Sequence, residues 1–100
     1  MISRMWHGVV PEEKEQLYQD FLIKRALVDY KSTKGNLGVL LTKKREVGRT
    51  HFYILTLWEN IESIKMFAGE DYEKERYYTE DKNYLIEFED KVIHSEVITT

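Results

Sequence analysis

Cysteine is absent from this chain, and proline occurs only once. Without thiols, disulfide bonds, thiolate nucleophiles and cysteine-based zinc sites are excluded. No apolar run approaches the roughly 20 residues that a membrane-spanning helix needs. The N-terminus shows no basic segment followed by an apolar stretch and a small-residue cleavage site. We therefore expect no membrane contact and a cytoplasmic location.

Glycine is also scarce: there are five, and none falls in the G-x-G-x-x-G spacing that cradles a dinucleotide phosphate. Flavin or nicotinamide binding therefore has no support, and we expect no cofactor. The 100 residues, 42% of them hydrophobic, contain no low-complexity stretch. This composition predicts one domain spanning 1–100.

Charge is divided unevenly along the chain. Residues 1–58 carry ten Lys/Arg and six Asp/Glu, a balance of +4, whereas residues 59–100 carry five and twelve, a balance of −7. Two copies could meet with complementary potentials, or both halves could be solvated. The basic residues near 43–49 lack the row of aromatic side chains that a nucleic-acid stacking platform requires, so we expect no nucleic-acid binding.

Apolar periodicity and turn signals predict four strands and two helices. Pro11 suits a first helical position, Asn60 suits a helix N-cap, and Gly69 suits a helix end. The predicted elements are strand Ile2–Val10, helix Pro11–Lys31, strands Leu37–Arg45 and Thr50–Trp58, helix Ile61–Phe67, and strand Leu85–Ile98 after a tyrosine-rich segment. This βαββαβ order predicts an α+β, ferredoxin-like antiparallel sheet with its helices on one face.

The first strand is apolar on both faces, so the side of the sheet without helices also needs cover. We expect Ile2 and Trp6 on that open face, where a continuous apolar patch is unfavourable in water. Two sheets packed face to face in a homodimer would bury it. The first helix is likewise apolar over more than one stripe, so a second subunit or the C-terminal segment should cover it.

Several short phrases carry a resemblance to a known family. They are Arg4-Met5-Trp6-His7-Gly8, Leu57-Trp58-Glu59, Phe67-Ala68-Gly69-Glu70-Asp71-Tyr72, Tyr84-Leu85 and Val92-Ile93-His94-Ser95-Glu96-Val97. Over nearly the whole chain the sequence resembles an uncharacterised subgroup of antibiotic-biosynthesis-monooxygenase domains. The resemblance implies a dimeric α+β barrel that binds ligands between sheet and helices. The family includes quinone-forming monooxygenases, haem-degrading enzymes and members without known activity, so the reaction stays open.

The haem-degrading members of that family use an asparagine, a tryptophan and an iron-ligating histidine. By alignment these fall on His7, Phe67 and Tyr77 here, and all three residues depart from the pattern. The resemblance therefore does not extend to haem degradation.

Three histidines lie on separate predicted strands, at His7, His51 and His94. They could form a metal site, since neutral imidazoles suit zinc, copper or iron. A single histidine acting as general base is the better interpretation, and we expect no metal. We favour His7, which should open toward the helix-side cavity, over His94.

By the resemblance, the function implied is a cofactor-independent monooxygenase acting on a small aromatic or quinol substrate. Such a site needs an apolar slot, a base and a donor to the oxyanion. His7 is the candidate base, Tyr53 or Tyr77 the donor, Arg4 the anion partner and Phe67 a slot wall.

Three alternatives remain open. Arg4 could instead form an ion pair with Glu96, because the first and last strands should be neighbours. Trp6, Trp58 and the tyrosines are most simply core and interface residues. The protein could also be a non-catalytic small-ligand-binding or interaction module on the same barrel. Glu87, Glu89 and Asp90 fit a solvated strand edge better than an acid/base pair.

Overall fold

One antiparallel sheet carries helical segments on one of its two faces. The computed structural model describes residues 1–100. Its elements are β1 (Ile2–Pro11), α1 (Glu15–Phe21), α2 (Leu27–Ser32), β2 (Asn36–Glu46), β3 (Arg49–Trp58), α3 (Ile61–Ala68), β4 (Glu87–Phe88) and β5 (Ile93–Glu96). The strand order is β2-β3-β1, and both β4 and β5 pair with the free edge of β1. The predicted α+β class and ferredoxin-like order are confirmed.

The first helix is one continuous helical segment of four parts. A 3-10 turn at Glu12–Lys14 leads into α1, and a π-helical stretch at Leu22–Ala26 joins α1 to α2. Pro11 was predicted as the first helical residue but is the last residue of β1. The Glu12 N–H, which follows it, bonds the Gly48 carbonyl at 3.0 Å and so extends the sheet by one residue. No helix here is both long and apolar enough to cross a bilayer.

The β2–β3 hairpin closes more tightly than predicted. Its strands pair as far as Glu46 and Arg49, which leaves only Val47 and Gly48 in the turn. Gly48 has φ +80°, a backbone region that glycine enters without steric cost. Glu15 of α1 anchors the hairpin through Lys43 and Arg45.

The last predicted strand, Leu85–Ile98, is wrong as one element. It divides into β4 and β5, and residues between them leave β1 to pair with an earlier segment of the chain. The Glu75 N–H bonds the Asp90 carbonyl at 3.1 Å, and the Val92 N–H bonds the Glu73 carbonyl at 2.9 Å. These bonds draw the segment around Glu75 against the core.

Alternation along β1 places Trp6 under the helices, where it is 4% exposed. The expectation that Ile2 and Trp6 lie on the open face is therefore wrong. Because both faces of β1 are apolar, alternation alone could not orient the strand. The open face carries the odd-numbered side chains of β1 and β3, including Met5, Leu55 and Leu57.

The tyrosine-rich segment covers one side of the first helix, while Leu17, Ile23 and Val28 stay 61%, 47% and 56% exposed in the single chain. Phe21 packs against Tyr78 and Tyr84 at ring-centroid distances of 5.7 and 5.8 Å. Tyr18 donates to Asp81 Oδ1 at 2.9 Å. This packing closes the space between helix and sheet from the side.

Candidate functional site

A buried ion pair lies at the centre of the space between sheet and helices. Arg4 of β1 is 1% exposed, and its Nη1 lies 3.5 Å from Oε1 of Glu75, whose side chain is 3% exposed. Arg4 Nη2 also donates to the Lys74 carbonyl at 3.2 Å. Its guanidinium lies over the Phe67 ring, 5.5 Å from the centroid. The predicted alternative of an Arg4–Glu96 pair is wrong, since Glu96 lies opposite Ile2 in register and is exposed.

Glu75 is only partly satisfied by its neighbours. Its Oε1 accepts from the Arg76 backbone N–H at 2.7 Å, but its Oε2 is buried without any hydrogen-bond partner. Burial raises the pKa of Glu75 to about 7, because the lost hydration of the carboxylate outweighs the lowering effect of Arg4. Nε of Arg4 is likewise buried and unpaired. The pair therefore retains one free acceptor and one free donor.

Aromatic side chains enclose the space next to Glu75. The Trp6 indole N–H donates to the Tyr77 hydroxyl at 3.1 Å, and that hydroxyl donates to the Glu89 carbonyl. The cavity that Trp6, Tyr18, Tyr30, Glu75 and Tyr77 help to line has a volume of about 20 Å³. Since one water needs roughly 10–15 Å³, this interior holds about one water molecule.

A second, larger cleft lies on the other side of the same wall. It measures about 200 Å³ and is lined by Tyr77, Tyr78, Asp81, Lys82, Leu85 and Phe88. Tyr77, Tyr78 and Asp81 line both spaces. The two tyrosines therefore separate the cleft from the interior beside Glu75.

The structure divides the predicted site residues between two faces. Arg4, Phe67 and Tyr77 lie together on the helix side. His7 and Tyr53 lie on the open face, stacked at 4.8 Å between ring centroids. The expectation that His7 opens toward the helix-side cavity is therefore wrong. Trp6, which precedes His7 in β1, faces the helices instead.

The three histidines do not converge. His7 Nε2 lies 2.7 Å from His51 Nδ1 on the open face. His94 is opposite Arg4 in register and packs edge-on against Tyr72 at 5.4 Å. Burial lowers the pKa of His94. No group of three His, Asp or Glu side chains is arranged to hold a metal ion.

Glu75 is the functional candidate that the sequence reasoning missed. It is one of many acidic residues in the second half of the chain, within a segment without periodicity. The charge and spacing of Glu75 do not distinguish it from solvated neighbours. Only the tertiary pairing of residues 73–75 with 90–92 buries it.

Comparison with family models and with curated proteins finds no match. Solved structures do match the whole fold. They include a mutant of MhuD with two manganese protoporphyrin IX bound per active site (TM-score 0.68, 15% identity, 100% of this chain and 97% of that chain). They also include the haem-degrader MhuD from Mycobacterium tuberculosis with two haems in its active site (TM-score 0.67, 16% identity, 100% and 98%).

A third neighbour is a putative antibiotic biosynthesis monooxygenase from Bacillus cereus (TM-score 0.67, 11% identity, 99% of this chain and 92% of that chain). The chain thus has the fold of the antibiotic-biosynthesis-monooxygenase domain, and the resemblance is confirmed at the level of fold. At these identities the likeness extends to the fold alone.

The residues here do not fit haem. The position aligned with an iron-ligating histidine is Tyr77, whose hydroxyl is already bonded to Trp6 and to the Glu89 carbonyl. The interior of about 20 Å³ is also far smaller than the roughly 300–1,000 Å³ of typical ligand sites.

Proposed function

We propose that this protein is a cofactor-independent monooxygenase that acts on a small phenol or quinol bound between the sheet and the helices. The observation that carries the proposal is the Glu75 carboxylate, which lines the cavity with one oxygen unpaired. A general base works best when its pKa is close to the working pH. Burial brings the pKa of Glu75 to about 7. Glu75 thereby takes the role that the sequence suggested for His7.

The two spaces limit the size of the substrate. An apolar cavity of roughly 150 Å³ accepts a benzene molecule, so the cleft of about 200 Å³ suits a compound with one ring. Tyr77 and Phe88 supply ring faces on which an aromatic substrate can pack, with their centroids 5.1 Å apart. Arg4 lies beside Glu75, with its guanidinium over the Phe67 ring.

The proposed chemistry needs no reductant other than the substrate. Glu75 removes the phenolic proton, and the electron-rich anion reduces oxygen. One phenol and one O₂ yield one quinone and one water, so one oxygen atom enters the ring and the other leaves as water. Arg4 stabilises the anion through its charge and its unpaired Nε–H.

Oxygen consumption in the presence of a panel of phenols and quinols tests this function. We expect kcat/KM to rise with pH through about 7, where Glu75 becomes ionised. Glu75→Gln should abolish turnover, whereas His7→Ala, on the opposite face, should leave it within about twofold. Turnover that survives Glu75→Gln, or that falls only with His7→Ala, would contradict the assignment.

One observation favours the second candidate, a non-catalytic binding module. Side chains fill nearly all of the interior, leaving about 20 Å³. In that case single-ring ligands would bind in the cleft without being consumed, and Glu75→Gln would not change their affinity. Titration calorimetry run beside the oxygen assay separates the two functions.

We also propose a homodimer through the open sheet face. In the single chain this face leaves apolar side chains in water, with Leu40 58% and Ile93 67% exposed, and such a patch favours association. Leu55→Asp, at the centre of the face, should yield monomers in sedimentation at micromolar concentration. Val47→Asp at the hairpin tip is the matched control and should stay dimeric. A wild-type monomer would refute the dimer.

A further inference from the structure

A four-residue chain of titratable side chains crosses the open face of the sheet. His7 Nδ1 lies 2.8 Å from Glu89 Oε1, and His7 Nε2 lies 2.7 Å from His51 Nδ1. The second nitrogen of His51, Nε2, contacts Glu46 Oε1. The imidazole rings are nearly parallel, at 13°, with centroids 5.0 Å apart. The order is therefore carboxylate, imidazole, imidazole, carboxylate.

The carboxylates determine where the imidazole protons lie. An ionised carboxylate only accepts hydrogen bonds, so the outer nitrogen of each ring must carry its N–H. A neutral imidazole has one N–H, which leaves lone pairs on both inner nitrogens. Two lone pairs that face each other at 2.7 Å repel unless a shared proton or a metal ion lies between them. The space between the inner nitrogens of His7 and His51 therefore calls for one positive charge.

We propose that His7 Nε2 and His51 Nδ1 bind a late first-row divalent metal ion, with Cu²⁺ preferred. Metal-ligating histidines typically donate their other ring N–H to a carboxylate, and both rings here do so. Imidazole suits copper, nickel and zinc, and affinity peaks at Cu²⁺. In the single chain His7 is 23% and His51 16% exposed, so water reaches the other coordination positions there.

The rings must move apart or turn to admit the ion. An ion held between two facing lone pairs has trans ligands, and metal–nitrogen bonds of about 2.0–2.1 Å place those nitrogens about 4.0–4.2 Å apart. The present separation is 2.7 Å, so the nitrogens must part by about 1.3–1.5 Å, or the rings must turn until they present cis ligands. Tyr53, stacked on His7, holds that ring in place.

The surrounding charge also favours a cation. Glu46 and Glu89 contribute two negative charges beside the rings. Arg49 is the nearby cation, but it is already shared between Glu46 and Glu87 at 3.3 and 2.5 Å. Lys44 lies opposite His51 in register and is exposed to solvent. The carboxylates therefore outweigh the free cationic groups.

Titration of the untagged protein with Cu²⁺, and separately with Zn²⁺, tests the site. We expect saturable binding at no more than one ion per chain and an electron paramagnetic resonance spectrum of Cu²⁺ with imidazole nitrogen couplings. His7→Ala and His51→Ala should each weaken binding more than tenfold. Glu89→Gln and Glu46→Gln should weaken it by about 10–100-fold. His94→Ala, on the other face, is the matched control and should bind as wild type.

Thermal unfolding provides a second measurement and shows that each variant is folded. Zn²⁺ should raise the Tm of the wild type and of His94→Ala, but not of the His7→Ala/His51→Ala double variant, because an ion stabilises only the state that binds it. If the double variant binds Cu²⁺ as tightly as the wild type, or the spectrum lacks imidazole couplings, the proposal is overturned. In that case a shared proton is what lies between the rings.

Discussion

Replacing Glu75 by Gln should change how the stability of the protein depends on pH. Gln resembles the protonated carboxyl group in shape but cannot ionise. The folded-state pKa of Glu75 is raised, so the folded protein retains a proton that the unfolded chain releases. The stability contributed by that proton is fully present below pH 4.5 and is lost as pH rises to about 7.

The size of this effect follows from the two pKa values. The gap runs from the ordinary value of 4.5 to about 7. Each pH unit corresponds to about 1.4 kcal/mol. The full gap is therefore worth about 3 kcal/mol of unfolding free energy. Because the side chain is only 3% exposed, solvent screening removes little of this amount.

Urea unfolding followed by tryptophan fluorescence measures the effect, since Trp6 and Trp58 are both buried. Experiments between pH 4.5 and 8.5 at one protein concentration would give the unfolding free energy of each protein. The stability of Glu75→Gln relative to wild type should rise by about 3 kcal/mol across this range. The lowered pKa of His94 makes the unfolding free energy rise with pH. This contribution is the same in both proteins, so it drops out of the difference between them. Parallel curves for the two proteins would refute the account of Glu75.

Two further predictions concern the fold. Asn60→Ala should cost about 1 kcal/mol in thermal unfolding, because the side chain accepts from the Ser63 N–H at 2.9 Å; an unchanged Tm would argue against this cap. Gly48→Ala should cost about 1 kcal/mol for its φ of +80° alone. Gly35→Ala should cost clearly more, because the added Cβ would lie 1.9 Å from Ser63 Oγ, and equal losses would contradict that contact.

The fold could be predicted from the sequence largely because its signals are local. Asn60 and Gly69 mark the two ends of α3, and the alternating pattern of β3 survives as a buried and half-buried alternation over its whole length. The division of the last strand could not be predicted. It depends on bonds from Glu75 and Val92 to segments 15 or more residues away along the chain.

The candidate site was less predictable than the fold. The family pattern predicts Phe67 and Tyr77 at the cavity, and both lie on the helix side. The face of His7 was predicted wrongly, because β1 is apolar on both faces and nothing local decides which face turns to the helices. The His7–His51 contact depends on the β1–β3 register, in which His7 opposes Tyr53 and His51 opposes Val9. That long-range register has no signature in the sequence.

Tyr77 links the two proposed sites across the sheet. Its hydroxyl accepts from Trp6 in the interior and donates to the backbone of Glu89, whose carboxylate holds His7. Tyr77→Phe should therefore slow phenol turnover and also weaken Cu²⁺ binding, the latter by less than the 10–100-fold expected for Glu89→Gln. Glu75→Gln, which shares no contact with either histidine, should leave Cu²⁺ affinity unchanged. Titration calorimetry with Cu²⁺ on the two variants tests this link. If Glu75→Gln weakens Cu²⁺ binding and Tyr77→Phe does not, Tyr77 does not connect the two faces.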